Sequence, residues 1–219
     1  PVEQTALVLV DMWDNHFIES WLERAVQITK EAVVPALAAA RAVGLTVIHA
    51  PSPPVAEQFE QLKRHAPPVA HAPPAWPPAE FRRRQGEYAV FRGPRAQPPG
   101  IPPLERLGMS PHIEVEQGEF VVATGEQLHA LLAERGILHL VYAGFATNWC
   151  ILNRDYGMRA MAGRGYTMIL LREATAGVEF PDTVREGLAT EMAVREVEQQ
   201  LGFSAANADF LAACAESTN

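Results

Sequence analysis

Continuous apolar runs alternate with segments of helical periodicity along most of the chain. Residues Thr5–Val10 read TALVLV and end at an aspartate, which is the pattern of a buried strand in a parallel sheet. Further strands are predicted at residues 45–49, 113–115, 137–143, 166–171 and 203–206. Helical patterns lie between them, at residues 20–43, 124–135, 147–162 and 182–201, with a terminal helix from residue 207. This alternation predicts a three-layer α/β/α fold with a mainly parallel sheet of about six strands.

Capping signals predict where two of the helices begin. Ser20 with Glu23 matches a capping box, and Thr124 with Gln127 matches another. Pro35 lies inside the first long helical pattern, where it should kink or split the helix because its ring removes a backbone donor.

One proline-rich stretch breaks the alternation. Between Pro51 and Pro103 lie 14 of the 18 prolines, which excludes a long regular helix or an interior strand there. A single short helical pattern remains, at residues 55–65. Long loops in compact domains are usually functional or disordered, and the aromatic residues Trp76, Phe81, Tyr88 and Phe91 favour packing here. We therefore expect residues 51–103 to form a lid or an interface of a single domain spanning residues 1–219.

Composition narrows the class of protein. A chain of 219 residues suits one α/β domain, and its net charge of −8 disfavours nucleic acid as a partner. No run of 18 apolar residues is present, so no membrane partner is expected. The two cysteines, Cys150 and Cys214, form no Cys-x-x-Cys motif, which favours a reduced cytoplasmic setting.

Polar side chains follow the predicted strands at the edge where parallel sheets form their sites. Asp11 ends the first strand, His49 ends the second, and Glu116 and Glu119 lie near the third. The loop after the strand at 137–143 leads to Cys150. An acid and a thiol therefore approach one edge of the sheet from two different strands.

Cys150 lies in the first turn of the helix predicted after that loop. Free N–H groups and positive potential at a helix N-terminus would lower the thiol pKa and could bind an oxyanion, as a cysteine nucleophile in acyl transfer requires. Asp11 could take the thiol proton. Equally, Cys150 could be a core residue and Asp11 a loop cap, and position alone leaves both interpretations open.

The motif around these two residues resembles the isochorismatase-like cysteine hydrolase superfamily, which includes nicotinamidases and other amidases. Asp11 after the first strand and GFATNWC before a helix carry the likeness, together with GEQLHALLAERGILHLVYAGFATNWC and GMRAMAGRGYTMILLREATAG. The resemblance implies an isochorismatase-like fold of Rossmann-like topology and a hydrolase acting on non-peptide C–N bonds. It further implies that Cys150 forms a thioester, that Asp11 is its base, and that the N–H groups of Ala146 and Cys150 form the oxyanion hole. A cis peptide is expected at Phe145–Ala146.

One position departs from the family pattern. The superfamily's third catalytic residue is a lysine on or just after strand three, and the two lysines of this chain, Lys30 and Lys63, lie elsewhere. Glu116 or Gln117 then stands in the lysine's place, and an ionised glutamate would oppose a thiolate. Arginines that could supply the positive charge instead are Arg82, Arg83, Arg84, Arg92, Arg95 and Arg154.

We expect no metal and no other cofactor. Nicotinamidases of the family bind a divalent metal through an Asp-x-His pair and a further histidine after strand two. Here that region offers His49, His65 and His71 without such a pair, and Asp14 with His16 forms an Asp-x-His in a different place.

The expected partner is a small-molecule substrate, and because family members associate, a homo-oligomer is expected as well. Candidate substrate-binding residues are Trp13, His16, His49, Trp76, Thr147 and Trp149, although aromatic residues at such positions could also be core. Two other functions stay open. One is a non-catalytic homologue that binds a small molecule or a partner, and the other is an isochorismatase-type hydrolase of a vinyl ether that does not use Cys150.

Overall fold

A computed structural model describes residues 1–62, 76–91 and 106–217. Within these ranges it contains strands β1 Thr5–Val10, β2 Thr46–Ala50, β3 Phe120–Val121, β4 His139–Phe145, β5 Thr167–Ala176 and β6 Phe203–Ala205. All six form one parallel sheet in the order β3-β2-β1-β4-β5-β6. The predicted α/β fold with a parallel sheet is therefore confirmed.

The α-helices of the described ranges are α1 Glu19–Ile28, α2 Val34–Ala42, α3 Pro53–Ala56, α4 Ala79–Arg82, α5 Gly125–Arg135, α6 Met158–Gly163, α7 Leu188–Glu196 and α8 Asn207–Glu216. Short π-helical turns lie at Thr29–Val33, Thr147–Ile151 and Val197–Leu201, and 3₁₀ turns at Val2–Gln4 and Gly86–Phe91. None of these helices is both long and apolar enough to cross a bilayer.

Alternate residues of β1 face two separate apolar cores, one on each side of the sheet. Val8 and Val10 belong to a core that also contains residues of α5, α6 and α7. Leu7 and Leu9 belong to the opposite core, which includes residues of α1 and α2. Since both faces are covered, the strand reads as a continuous apolar run rather than an alternating one.

The two central strands place the candidate chemistry side by side. Thr5–Val10 runs in register with the first six residues of β4, so that Val10 lies opposite Gly144. A Cβ at Gly144 would lie 2.1 Å from the Val10 carbonyl oxygen, and the residue has φ +110. Only glycine fits this close approach. The residues that follow β1 and β4, Asp11 and Ala146, therefore emerge at the same edge.

Strand three differs from the prediction. Residues 113–115 form no strand; the N–H of Ile113 instead donates to the Ser110 carbonyl in a turn, while its side chain packs in the core. The strand is Phe120–Val121, which pairs with Ile48 and His49 of β2. Periodicity cannot identify a strand of only two residues, so Phe120–Val121 was missed. The buried apolar Ile113 lies in a turn, and its apolar character led to a strand being predicted there instead.

The helix predicted at 147–162 is interrupted. Helical structure that begins at Thr147 ends by residue 153, and α6 starts at Met158. Between them, Gly157 donates to the Arg154 carbonyl at 2.8 Å, and a Cβ on it would lie within 2.9 Å of Arg154 backbone atoms. The glycine therefore permits a tight turn at this point.

Helix starts were predicted with mixed success. The N-cap of α1 is Ile18 and has no side-chain hydrogen bond, so the capping box at Ser20 is wrong. Thr124 does cap α5, since its hydroxyl accepts from the Gln127 N–H at 3.2 Å. A π-helical turn precedes Pro35 and divides the first long helix, as the proline predicted.

The terminal helix predicted from residue 207 is confirmed as α8, whereas two other helical predictions were too long. In the described part of the helix predicted at 55–65, the α-helix is α3, which ends at Ala56. Residues 63–65 lie outside the described residues. The helix predicted from residue 182 begins at Leu188.

Candidate active site

Asp11 is the centre of a buried polar cluster at the carboxyl edge of the sheet. It follows β1 directly, has φ +42 and is 1% exposed. Its Oδ1 accepts from Trp13 Nε1 at 3.1 Å and from Ser52 Oγ at 2.8 Å. Its Oδ2 accepts from Nε and Nη2 of Arg154 at 3.1 and 2.9 Å. Aspartate tolerates the left-handed backbone that this turn requires.

Cys150 reaches the same carboxylate from the turn that follows β4. It is half-buried, and its thiol lies close enough to the Asp11 side chain and the Ala146 backbone N–H for both to act on its pKa. The Phe145–Ala146 peptide is cis, as the resemblance implies. The structure thus brings together the predicted nucleophile, the predicted base and one of the two predicted oxyanion donors.

Burial raises the pKa of the Cys150 thiol to about 12, and the neighbouring Asp11 carboxylate contributes to the rise. The Arg154 guanidinium and the Ala146 N–H act in the opposite direction, with smaller effect. The expectation that a helix N-terminus lowers this pKa is therefore wrong, because desolvation outweighs it. At neutral pH the resting thiol keeps its proton.

Arg154 supplies the positive charge beside this pair. It lies four residues after Cys150, and its backbone N–H donates to the backbone carbonyl of Cys150 at 3.1 Å. Of the other arginines considered, Arg82 and Arg83 are exposed. Arg84 lies over the Phe81 ring at 4.1 Å, and Arg92 and Arg95 lie outside the described residues.

Ser52 is a member of the cluster that sequence reasoning missed. It is 6% exposed and follows β2 by two residues. Its hydroxyl donates to Asp11 and accepts from Trp13 Nε1 at 3.1 Å and from Arg154 Nη2 at 2.9 Å. Its place just beyond the carboxyl end of a central strand is the signal that could have identified it.

Glu116 does not occupy the position that the resemblance gives to lysine. That assignment depended on a strand at 113–115, whereas strand three is Phe120–Val121 and the residues just after it are the buried Val122 and Ala123. Glu116 precedes the strand, its side chain is 54% exposed, and it pairs with Arg41 Nη1 at 2.9 Å. Gln117 is exposed as well.

His49 is committed to a second buried cluster. Its Nε2 lies 2.8 Å from Glu119 Oε2, and Arg41 Nε lies 2.7 Å from Glu119 Oε1. Burial opposes ionisation of Glu119, but the hydrogen bonds from His49 and Arg41 outweigh it and lower its pKa to about 2. Substrate contact by His49, which is fully buried, stays a prediction.

Aromatic rings connect Trp13 with Trp149, the residue before the nucleophile. The ring of His16 lies 6.0 Å from that of Trp13 and 6.4 Å from that of Trp149, between centroids. Burial lowers the pKa of His16 to about 4, so the ring is neutral at neutral pH. Trp149 is 41% exposed, which leaves one face of this aromatic group open to solvent.

The other predicted contact residues lie apart from this group. Thr147 is fully buried, and its hydroxyl shares a hydrogen bond of 2.7 Å with that of Thr175. Trp76 is 78% exposed. Substrate contact by either residue stays a prediction.

The described donor atoms of the Asp-x-His pair are occupied by local hydrogen bonds. Asp14 Oδ1 accepts from the Gly108 N–H at 2.7 Å, and His16 Nδ1 accepts from the Ile18 N–H at 3.1 Å. In the described ranges, no group of three or more His, Cys, Asp or Glu side chains is placed to bind a metal ion. His65 and His71 lie outside those ranges.

The two ends of the proline-rich stretch meet near the turn after β1. Gln58 Nε2 donates to the Leu107 carbonyl at 3.0 Å, and the Ser110 N–H donates to the Met12 carbonyl at 2.8 Å. Residues 63–75 and 92–103 of the predicted lid or interface at 51–103 lie outside the described residues, and a lid or interface there stays a prediction.

Comparisons with solved structures agree with this architecture. A cysteine hydrolase from Pseudomonas syringae pv. phaseolicola 1448A is 16% identical, with a TM-score of 0.65 over 99% of this chain and 95% of that one. An isochorismatase family protein from Burkholderia thailandensis is 18% identical, with a TM-score of 0.60 over 97% and 96%. An isochorismatase from Pseudomonas putida KT2440 is 20% identical, with a TM-score of 0.54 over 95% and 90%. These likenesses show the fold, and no curated protein matches the chain.

Similarity of sequence assigns the family more firmly than the similarity of folds does. The model of the isochorismatase domain matches residues 5–201, which covers the two central strands β1 and β4 and the segment that carries Cys150 and Arg154. With its six-stranded sheet and a cysteine beside the strand-one aspartate, the chain belongs to the isochorismatase family of hydrolases.

Proposed function

We propose that this chain is a cysteine hydrolase that cleaves the C–N bond of a small amide through a thioester on Cys150. The observation that carries the proposal is the proximity of the Cys150 thiol to the buried Asp11 carboxylate and to the Ala146 N–H, at the edge where β1 and β4 end. Nucleophile, base and an oxyanion donor are thus adjacent, as acyl transfer requires.

The resting protonation state suits a coupled attack. As the Cys150 sulfur bonds to the carbonyl carbon, its proton passes to Asp11, so no free thiolate accumulates. The carbonyl oxygen becomes an oxyanion facing the Ala146 and Cys150 N–H groups. Asp11 then gives the proton to the leaving nitrogen as the C–N bond breaks.

Water completes the cycle. Its oxygen adds to the thioester carbon while Asp11 takes one of its protons, and the C–S bond breaks as that proton returns to sulfur. The sum of the steps is one amide and one water converted to one carboxylic acid and one amine, with the enzyme unchanged.

The surroundings favour an uncharged substrate with a flat acyl group. Asp11 is paired with Arg154, and His16 and Cys150 are neutral at neutral pH, so the charges of the site balance internally. Trp13, His16 and Trp149 offer aromatic surface beside the thiol.

Acyl-enzyme trapping tests the proposal. The protein is mixed with a panel of small aromatic and aliphatic amides and with p-nitrophenyl acetate as a generic acyl donor, quenched in acid and analysed by intact mass and peptide mapping. We expect an acyl adduct on Cys150 that hydroxylamine removes. The adduct should be lost in Cys150→Ala and retained in Cys214→Ala.

Two outcomes would favour other functions. Turnover that survives in Cys150→Ala would favour a vinyl-ether hydrolase that does not use the thiol. Ligand-induced thermal stabilisation without adduct or turnover would favour a binding homologue.

A further inference from the structure

Among the described residues, no lysine lies beside Asp11 and Cys150, although the family pattern has one there. Strand three is followed by the apolar residues Val122 and Ala123, both buried. Lys30 is exposed in the π-helical turn between α1 and α2, and Lys63 lies outside the described residues. Within the described part of the chain, a positive charge beside the thiol therefore comes from a different part of the fold.

Arg154 has the geometry for this task. Its Nε and Nη2 both donate to Asp11 Oδ2, and Nη2 also donates to Ser52 Oγ. The thiol of Cys150 lies close to the same carboxylate, which acts on its pKa. The guanidinium, the base and the nucleophile thus form one continuous cluster.

We propose that Arg154 replaces the family's lysine as a positioning residue, fixing the Asp11 carboxylate and stabilising negative charge that develops on the Cys150 sulfur. This inference rests on the proposed cysteine chemistry. The positive charge has moved from the strand-three position to the turn just after the helical segment that carries the nucleophile.

Several other described arginines have partners away from the site. In the described ranges, these arginines form ion pairs or hydrogen bonds with acidic, hydroxyl or carbonyl groups other than Asp11. They include Arg24, Arg41, Arg159, Arg164, Arg172 and Arg195. Arg154 is the described arginine that contacts Asp11.

The local chain explains how the side chain reaches the site. Helical structure ends just before Arg154, and the turn at Gly157 has no room for a Cβ. The backbone N–H of Arg154 still donates to the backbone carbonyl of Cys150, so the main chain holds the two residues at a fixed distance from each other. A guanidinium remains charged at any pH at which the protein is folded, and its planar donors fix a carboxylate's orientation better than an ammonium does.

A purely structural role predicts different behaviour. A cation that only neutralises buried Asp11 would become dispensable once Asp11 is replaced by a neutral residue. A cation that stabilises charge on sulfur would still lower the thiol pKa in the absence of that carboxylate. The Asp11→Asn background therefore separates the two roles, and it also avoids leaving an unpaired buried charge that could prevent folding.

The experiment measures iodoacetamide labelling of Cys150 by mass spectrometry across a pH series. The variants are Asp11→Asn alone and combined with Arg154→Met, Arg154→Lys or Arg164→Met. Arg164 is a matched control because its side chain is 30% exposed, against 32% for Arg154, and it pairs with Glu126 instead. Circular dichroism verifies that each variant is folded.

We expect the double variant Asp11→Asn with Arg154→Met to label at least about tenfold more slowly at pH 8 than Asp11→Asn alone, with its profile displaced to higher pH by about one unit or more. Adding Arg154→Lys instead should preserve most of the rate, and adding Arg164→Met should leave it unchanged. If Asp11→Asn labels with the same rate and the same pH profile whether or not Arg154→Met is added, the guanidinium has no effect on the sulfur, and that result overturns the proposal.

A second measurement separates this inference from the proposed function. With Asp11 intact, Arg154→Met should acylate with p-nitrophenyl acetate at least about tenfold more slowly than the unmodified protein, and Arg154→Lys should recover part of the loss. Failure of the unmodified protein to acylate would refute the proposed function, while the labelling comparison would still decide the effect of Arg154 on the thiol. Wild-type acylation in Arg154→Met would refute the role of Arg154 and leave the cysteine mechanism intact.

Discussion

Arg154 donates two hydrogen bonds to a single oxygen of Asp11, Oδ2, at 3.1 and 2.9 Å. The other oxygen, Oδ1, accepts from Trp13 and Ser52. Since these donors come from the turn after β1, the turn after β2 and the segment after β4, the carboxylate joins three parts of the sheet edge. Its orientation toward the Cys150 thiol is fixed by contacts that do not involve the thiol.

Replacing Asp11 should have opposite effects on thiol reactivity and on catalysis. In Asp11→Asn the negative charge that raises the Cys150 pKa is gone, so iodoacetamide labelling at pH 8 should become at least about tenfold faster. Acylation by amides should fall at least about a hundredfold because the proton acceptor is lost. Labelling kinetics and acyl-adduct formation on the same protein provide both readouts. Parallel changes in the two rates would contradict the assignment of Asp11 as base.

Ser52→Ala should weaken both the site and the fold. Its hydroxyl bonds to Asp11, Trp13 and Arg154, so its loss should lower the free energy of unfolding by about 2 kcal/mol and slow acylation severalfold. Ser110→Ala is the matched control, since Ser110 is also buried but its hydroxyl accepts one long bond, 3.4 Å from the His112 N–H. That control should cost less than about 1 kcal/mol in urea unfolding and leave acylation unchanged. Equal losses in the two variants would show that Ser52 has no special role.

The fold was predictable wherever a local pattern and the tertiary structure agree. The limits of β1 match TALVLV because a strand buried on both faces leaves a continuous apolar run between polar ends. Thr124 and Gln127 were identified correctly because their hydrogen bond is local. The strand at Phe120–Val121 was missed because tertiary pairing with β2 and with Leu62 defines it, and no local pattern does.

The site was predictable in part for the same reason. Asp11 and Cys150 follow two strands that lie side by side, so parallel-sheet topology alone places them together. Arg154 could be named only as one of six arginines, because the interruption of its helix depends on how closely Gly157 packs on the preceding backbone. The sign of the Cys150 pKa shift depends on burial, which no sequence motif records.

The buried tyrosines Tyr142 and Tyr156 should respond differently to loss of the hydroxyl. The Tyr142 hydroxyl donates to the Tyr156 carbonyl at 2.6 Å, so Tyr142→Phe should lower the free energy of unfolding by about 1–2 kcal/mol. The Tyr156 hydroxyl is buried without a partner among the described residues, and Tyr156→Phe should therefore change stability by less than about 0.5 kcal/mol or increase it. Urea denaturation of the two variants tests the contrast. Equal destabilisation would indicate that an ordered water satisfies Tyr156.

Glu119 and Glu116 share Arg41 as a partner but should contribute unequally to stability. The pKa of Glu119 is lowered from 4.5 to about 2, so its contribution is present above pH 4.5 and is lost as the pH falls toward 2. Glu119→Gln should cost about 2 kcal/mol at pH 7, with the difference from the unmodified protein shrinking below pH 4. Glu116→Gln should cost less than about 0.5 kcal/mol, since that side chain is 54% exposed. A pH-independent cost for Glu119→Gln would contradict the ionic origin of its contribution.

His16 should make the folded state sensitive to mild acid. Burial lowers its pKa from 6.5 to about 4, so between these values the unfolded chain binds a proton that the folded protein does not. Stability should therefore decrease as the pH falls from 6.5 to about 4, by roughly 2 kcal/mol from this residue. His16→Phe, which retains a ring in the stack, should remove that part of the pH dependence when unfolding free energies are compared at pH 7.5 and pH 4.5. The control His112→Gln, at an exposed position, should leave the pH dependence of stability unchanged. The same pH dependence in the unmodified protein and in His16→Phe would show that His16 titrates normally in the folded state.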